Sequence, residues 1–362
     1  MDAWKNARRP LFDAVILPDL SELVLDYAYE LQGSVLFTDS KSNNGLHLWH
    51  VVELPGDKIA TISHTKVIHV LDARTGQEHW QLQGHTGWVT AMVMCGERLV
   101  SVSLDGTARA WNLVTGVCES TLCLPFPLVA VAVLRDFVVV GGMNGHLCVW
   151  DGDLEAFTFV RDHSSGTLRR AGRGSKHVPG LADRLIALTT VADRTLLVQT
   201  AGCTTLYTVA NGVLFLAYDT KEKAGPFSSA NDLCVMCGQE RIHVWNAGLV
   251  SMIPYHLKLL SVCALRDGRF AASDETQTIR LYKGSPRFHS AYEAIDTSPS
   301  HVLKLVQLVD GRLAGADDFC VRVWDMQTRA CVLCVPHEGE VTDLTVIHSR
   351  LAIVAPSLTM LE

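Results

Sequence analysis

The sequence predicts an all-β fold in which short four-stranded antiparallel sheets follow one another around a closed ring. Three observations carry this. First, a strand ending in an aromatic or large apolar residue returns at near-constant spacing. Its closing positions Leu71, Trp111, Trp150, Tyr207, Trp245, Tyr282, Trp324 and Leu361 lie 37 to 42 residues apart, with one wider gap between Trp150 and Tyr207. Second, between these points apolar and polar residues alternate in runs of about five, bounded by Gly, Asp, Asn and Thr, the period-two pattern of half-buried strands. Third, the 362 residues are 48% hydrophobic and 19% charged, which supplies a large core and is too apolar for a disordered chain.

A single four-stranded sheet cannot bury both of its faces. Stacking such sheets about an axis buries them and leaves only short edges. A period near forty residues is that of a propeller blade, so the predicted architecture is a closed β-propeller. Counting closing strands gives eight blades; seven is the alternative, because the units around Tyr207 and Tyr282 are degenerate copies. The last closing strand is followed at once by Glu362, so the outer strand of the last blade is expected from the other end of the chain, near 34–38. The expected organisation is an N-terminal segment over 1–33, a propeller over 34–362 and a basic loop insertion over 161–180 between blades three and four.

One unit is complete enough to compare with a family. It opens Gly84-His85-Thr86-Gly87-Trp88-Val89-Thr90 and continues through Leu99-Val100-Ser101-Val102-Ser103. It then turns at Asp105-Gly106-Thr107 and closes on Ala110-Trp111-Asn112. This resembles a WD repeat over its whole length. The resemblance implies that His85, Ser101, Asp105 and Trp111 form a buried structural chain of hydrogen bonds, not a catalytic His/Ser/Asp set. Elsewhere the set is partial: Asp318 with Trp324, Asn144 with Trp150, and His337 without a Trp. Those weaker units are expected to be held by packing alone.

Catalytic signatures are absent from the sequence. No Gly-rich phosphate loop precedes a helix, and His337-Glu338 has no second His at metalloprotease spacing. The chain is expected not to be an enzyme and to need no cofactor. The 11 cysteines are an odd number spread through apolar runs, which reads as free, buried thiols. Cys234 with Cys237 and Cys331 with Cys334 have knuckle spacing, yet both pairs sit on predicted strands. Residues three apart on a regular strand face opposite ways, so no metal site is expected.

Before the ring, Leu17-Pro18-Asp19-Leu20 through Leu31 predicts one short amphipathic helix. Pro18 suits its first turn, Asp19 and Glu22 suit its positive end, and Leu20, Leu23, Val24, Tyr27 and Leu31 form the apolar stripe. Leu-Pro-x-Leu followed by Leu23-Val24-Leu25-Asp26-Tyr27 resembles the start of an F-box. F-boxes joined to WD propellers are substrate receptors of ubiquitin ligases, so the resemblance implies adaptor docking through Leu20, Leu23, Val24 and Tyr27. The residues one past the first apolar position of each leading strand, His50, Thr90, Val129, Ile186, Ala224, Ser261, Leu303 and Thr342, include no Arg or Lys. A phosphorylated motif would find no bidentate partner there.

The insertion concentrates charge. Arg161, Arg169, Arg170, Arg173 and Lys176 stand against Asp162 alone, in a chain of net charge −7. Arg169, Arg170, Arg173 and Lys176, with His50 and Thr90 at the axial opening, are the candidate partner-binding residues. Other proteins are the expected partners, nucleic acid is disfavoured by the acidic balance, and no apolar run is long enough to cross a membrane. With no signal-peptide pattern at Met1-Asp2-Ala3-Trp4, the expected location is the cytoplasm, with the nucleus as the alternative. The expected function is a non-catalytic scaffold for protein–protein interaction.

Overall fold

The protein is described here by a computed structural model. It describes Val35–Thr38 and residues 48–361, apart from 64–65, 135–136, 144, 151–155, 162–167, 171–183, 192–194, 211–212, 221, 224, 247, 284–291, 298–300, 318–319, 338–340, 342 and 355–357. The described residues hold strands and turns and no helix. The stripe residues Leu20, Leu23, Val24 and Tyr27, and the basic residues Arg173 and Lys176, lie outside them.

The chain begins with β1 (Val35–Thr38). Then four-stranded antiparallel modules follow in order. The first is β2 (Leu48–Leu54), β3 (Lys58–Ser63), β4 (Ile68–Asp72) and β5 (Glu78–Leu82). The second is β6 (Val89–Cys95), β7 (Arg98–Ser103), β8 (Thr107–Asn112) and β9 (Cys118–Cys123). The third is β10 (Leu128–Leu134), β11 (Phe137–Gly142), β12 (Leu147–Trp150) and β13 (Ala156–Arg161), followed by a short β14 (Leu168–Arg170). The fourth is β15 (Leu185–Val191), β16 (Thr195–Thr200), β17 (Thr204–Ala210) and β18 (Val213–Asp219). The fifth is β19 (Phe227–Ala230), β20 (Leu233–Cys237), β21 (Arg241–Asn246) and β22 (Leu249–Pro254). The sixth is β23 (Leu259–Ala264), β24 (Arg269–Asp274), β25 (Thr278–Lys283) and β26 (Tyr292–Thr297). The seventh is β27 (Lys304–Gln307), β28 (Leu313–Ala316), β29 (Cys320–Trp324) and β30 (Cys331–Pro336). The last is β31 (Asp343–Ile347), β32 (Arg350–Val354) and β33 (Leu358–Leu361), with β1 as its fourth strand. Val35 is opposite Leu361, and Phe37 is opposite Met360.

Part of the basic segment differs from the expected loop. Arg161 ends β13, and Leu168–Arg170 is a strand, with Arg169 opposite Val160 and Leu168 opposite Leu214 of β18. β14 therefore bridges the outer edges of the third and fourth modules and merges them into one nine-stranded sheet. Two exposed edges, each with unpaired backbone groups, are covered by one three-residue strand.

The closing residues explain why the repeat exists. Trp111 packs among Leu54, Ile62 and Val70 of the preceding module. Trp150 packs on Val100 and Val102, Tyr207 on Ala130 and Val139, and Trp245 on Leu197 and Leu206. Tyr282 packs on Val235 and Val244, and Trp324 on Cys263 and Leu281. Leu71 meets Ile347, Ala352 and Met360 of the last module. Every closing side chain named here is buried. Each large ring fills the gap to the sheet before it, so each module supplies half of its neighbour's core. Burying a side chain of this size is worth about 2–3 kcal/mol.

The first strands also adjoin one another, and small hydroxyls stitch them. Thr90 Oγ1 donates to Leu128 O at 3.0 Å in the next module. Ser261 Oγ accepts from Leu305 N at 3.1 Å, and Ser228 Oγ accepts from Ala264 N at 3.0 Å. Thr190 donates in the same way to Val133 O. Thr90, a candidate for binding a partner, thus spends its hydroxyl on the fold.

Cys234 and Cys237 face opposite ways, as regular alternation requires. Cys234 joins the core shared with the fourth module, and Cys237 the core shared with the sixth. Cys331 and Cys334 do not. A bulge between Val323 and Trp324 sets Cys331 opposite Trp324 and Cys334 opposite Arg322, so both lie on the Arg322/Trp324 side of the sheet. The alternation argument fails for this pair because the extra residue resets the period.

Candidate interaction face

The loop leading into β6 is held by a buried polar chain. Trp111 Nε1 donates to Ser101 Oγ at 2.8 Å, and Ser101 Oγ is 2.8 Å from His85 Nε2. His85 Nδ1 is 3.0 Å from Asp105 Oδ2. An ionised carboxylate only accepts, so the His85 proton sits on Nδ1 and Ser101 donates to Nε2. Asp105 also accepts from Thr86 N at 2.8 Å, Thr107 N at 2.8 Å and Thr107 Oγ1 at 2.6 Å. Although burial opposes its ionisation, these bonds from Thr107, Thr86 and His85 hold its carboxyl well below the usual range. Burial pushes the His85 ring down, against the pull of Asp105, and keeps it neutral. Ser101 is fully buried and takes the Trp111 proton donor, so no substrate carbonyl can reach it. The set locks loop to sheet.

Above this lock stands Trp88. Gly87 permits its position, since a Cβ there would lie 2.8 Å from the Asp105 backbone nitrogen. The carbonyl of Trp88 accepts from Leu104 N at 3.0 Å, while 49% of the residue stays exposed. Ile186, the second residue of β15, is 51% exposed near the start of its own first strand. His50, in the corresponding part of β2, is half-buried. Arg169 and Arg170 lie on β14, away from these strand starts in the sheet order.

The sixth and seventh modules are not held by packing alone. Tyr255 stands four residues before β23, as His85 stands four residues before β6. Its hydroxyl donates to Asp274 Oδ2 at 2.5 Å and accepts from Arg280 Nη1 at 2.6 Å. Arg280 also pairs directly with the fully buried Asp274. Burial pushes the Tyr255 phenol up to about 12. In the seventh module Arg322 pairs with buried Asp317, and Asp317 Oδ1 accepts from Cys320 N at 2.9 Å. Asp318 and Asn144 lie outside the described residues. His337 Nε2 reaches the backbone carbonyl of Asp317 at 3.0 Å, tying the loop before the last module to the seventh. In the fifth module buried His243 meets Tyr218 Oη at 2.7 Å and Glu222 Oε1 at 3.6 Å.

These residues share a signal. His243, Arg280 and Arg322 each stand two before a closing aromatic, on a strand whose alternation turns them inward. An inward Arg demands a carboxylate, because an unpaired buried charge is prohibitive. That demand points to Asp274 and Asp317.

A third turn recurs at the far end of the modules. Asp72, Asn112 and Asp325 each accept from the amides two and three residues on, at 2.7–3.0 Å. Among the described residues no group of three or more His, Cys, Asp or Glu is arranged to hold a metal ion, and no helix is long and apolar enough to cross a membrane.

Residues 76–112, which contain His85, Ser101, Asp105 and Trp111 of the lock, match the family model of the WD domain, G-beta repeat. The chain carries a WD repeat. Similar proteins include the DENN domain and WD repeat-containing protein SCD1 of Arabidopsis thaliana, 28% identical over 116 residues, which is 30% of this chain and 10% of that protein. WD repeat, SAM and U-box domain-containing protein 1 of Danio rerio is 35% identical over 129 residues, 33% of this chain and 24% of that protein. Pre-mRNA-splicing factor cwf17 of Schizosaccharomyces pombe is 35% identical over 85 residues, 22% of this chain and 25% of that protein. The chain thus spans a quarter or less of the length of each of these relatives. Among solved structures, the computationally designed Ika8 protein superposes with a TM-score of 0.67 at 18% identity, over 88% of this chain and 97% of that one. At that identity the likeness speaks of fold alone.

Proposed function

We propose that the modules close into one eight-bladed ring and that this WD-repeat ring is a non-catalytic platform on which other proteins assemble. Support for closure comes from β1 pairing with β33 and from the core that Leu71 shares with Met360. The observation that carries the platform reading is Trp88, a large aromatic kept half exposed on a loop whose base is locked. Trp is the residue type most enriched among energetic anchors of interfaces, and a rigid support removes the ordering cost of binding. The WD-repeat relatives join such repeats to DENN, SAM or U-box domains, which suits a module that brings partners together.

Affinity purification with mass spectrometry tests this. Trp88→Ala should lose partners recovered by the unaltered chain, with an unchanged melting midpoint. Full recovery with Trp88→Ala would refute the reading. The basic residues around β14 are proposed to hold acidic segments of those partners; Arg173→Ser with Lys176→Ser tests this while leaving β14 intact. The proposed location is the cytoplasm.

A second reading rests on Leu17–Leu31. Its F-box-like pattern supports a substrate receptor of a ubiquitin ligase, with Leu20, Leu23, Val24 and Tyr27 contacting the adaptor. Adaptor recovery that depends on residues 1–33 would favour it.

A further inference from the structure

Arg109 stands two before Trp111, the position that Arg280 and Arg322 hold before Tyr282 and Trp324, yet it lacks their carboxylate. Asp274 ends β24; Ser103 ends β7 in its place, and its hydroxyl accepts from Asp105 N. Asp105 is spent on Thr86, Thr107 and His85, and Glu119 on Arg98 and Asn112. Among the described residues the half-buried Arg109 guanidinium makes one hydrogen bond, from Nη1 to the Cys118 sulfur at 3.8 Å, and its buried Nε makes none. A thiol does not neutralise a cation, so this charge stays uncompensated.

The charge sits at one end of a seam between two outer strands. β5 and β9 are the last strands of the first and second modules, and no described strand pairs with their free edges. At one end the guanidinium lies against Gly84, where a Cβ would meet Nη1 at 2.8 Å. At the other, the Trp80 ring of β5 lies over Gly116, where a Cβ would meet Cε3 at 2.8 Å. Trp80 is 37% exposed, and Val117 beside Gly116 is 58% exposed. Leu82 and Trp111 share the core beneath, with Cys118 packed against it. Trp80 and Gly84 are four residues apart along an extended chain, about 13 Å.

We propose that this seam is a second docking surface, separate from Trp88, and that its occupant is an extended segment of a partner protein with a Glu or Asp side chain on Arg109 and a large apolar side chain on Trp80. Charge complementarity selects the acid. The same strand position meets a carboxylate within the sixth and seventh modules, and in the second module the partner supplies it. Residues i, i+2 and i+4 of an extended segment share a face, so the acid and the apolar residue stand four apart, matching the span from Gly84 to Trp80. The free edge of β9 offers main-chain hydrogen bonds to such a segment, and β14 shows outer edges of this chain taking up an added strand. Trp80 is of the residue type that anchors interfaces, and its seat on Gly116 holds it ready.

The test is fluorescence anisotropy of labelled peptides with the full chain. The probes are Glu-Thr-Val-Thr-Leu, the same residues in reverse order, and both with Gln in place of Glu. Two orders are used because a segment can run either way along β9. In one order the Glu peptide should bind about tenfold more tightly than its Gln counterpart, the value of one charge-assisted hydrogen bond. Arg109→Met should erase that difference, Trp80→Ala should weaken both peptides of that order, and Trp88→Ala should change neither. Arg109→Met strands no carboxylate, so its urea midpoint should stay at that of the unaltered chain, unlike that of Arg280→Ala. Equal binding of Glu and Gln peptides in both orders, or a preference for Glu that survives Arg109→Met, would overturn the proposal. A phosphoserine peptide bound more tightly than the Glu peptide would overturn the choice of a carboxylate, and a lowered midpoint in Arg109→Met would place the work of the guanidinium inside the fold.

Discussion

Asp274 and Arg280 form an ion pair across the turn from β24 to β25, with the carboxylate fully buried. Asp317 and Arg322 repeat it one module later, across the turn from β28 to β29. Removing one partner leaves the other charge without its counter-charge, with only neutral hydrogen bonds such as that of Tyr255 beside it. Arg280→Ala or Asp274→Ala should therefore destabilise the chain by about 3–5 kcal/mol, while Asp274→Leu with Arg280→Met should cost far less than the two single changes summed. Urea midpoints of the four proteins measure this. A small loss for either single variant would contradict the pairing.

Ser101 receives the Trp111 donor and serves the His85 ring, both at 2.8 Å. Ser101→Ala leaves a buried indole N–H and an imidazole nitrogen unmatched and should cost about 1–3 kcal/mol. Ser103 lies two residues away, is also buried, and its hydroxyl accepts from Asp105 N at 3.2 Å without touching the indole or imidazole. Ser103→Ala should cost less, which a paired thermal melt can show.

His85 is buried with its ring pushed below the ordinary 6.5. The folded state thus binds a proton less readily than the unfolded chain. Its contribution to stability is complete above pH 6.5 and falls as the solution is acidified toward the folded value. His243, lowered by burial as well, acts in the same sense. Melting midpoints should drop between pH 7.5 and 5, and His85→Asn should flatten part of that drop; an equally steep profile in the variant would contradict it.

Arg329 occupies the left-handed region at φ 65°, where the equivalent turns carry Gly76 at 69° and Gly116 at 71°. An L side chain there costs about 1–2 kcal/mol. The exposed ion pair of Arg329 with Glu293 returns little of this. Arg329→Gly should raise the melting midpoint, and a lowered midpoint would mean that the Glu293 contact outweighs the backbone.

The closing residues were legible in the sequence because one size and chemistry, a large ring or branched chain, does one job at a fixed period. The His85 set was legible because its residue types match the family pattern. Tyr255 was not, since a phenol stands where that pattern has an imidazole. Asp274 and Asp317 were hidden for a related reason: each module solves the same locking problem with different side chains. β14 is three residues long, too short for period-two alternation to register. The bulge at Val323/Trp324 reset the register that alternation assumes, which hid that Cys331 and Cys334 lie on one side of the sheet.

Closure of the ring through the N-terminal strand is the claim on which the platform reading stands. An electron-microscopy map viewed down the ring axis tests it most directly. The account predicts eight lobes without a gap, and density for Val35–Thr38 along the outer edge of the module that holds Leu358–Leu361. A break between the first and last modules, or a different number of lobes, would contradict it.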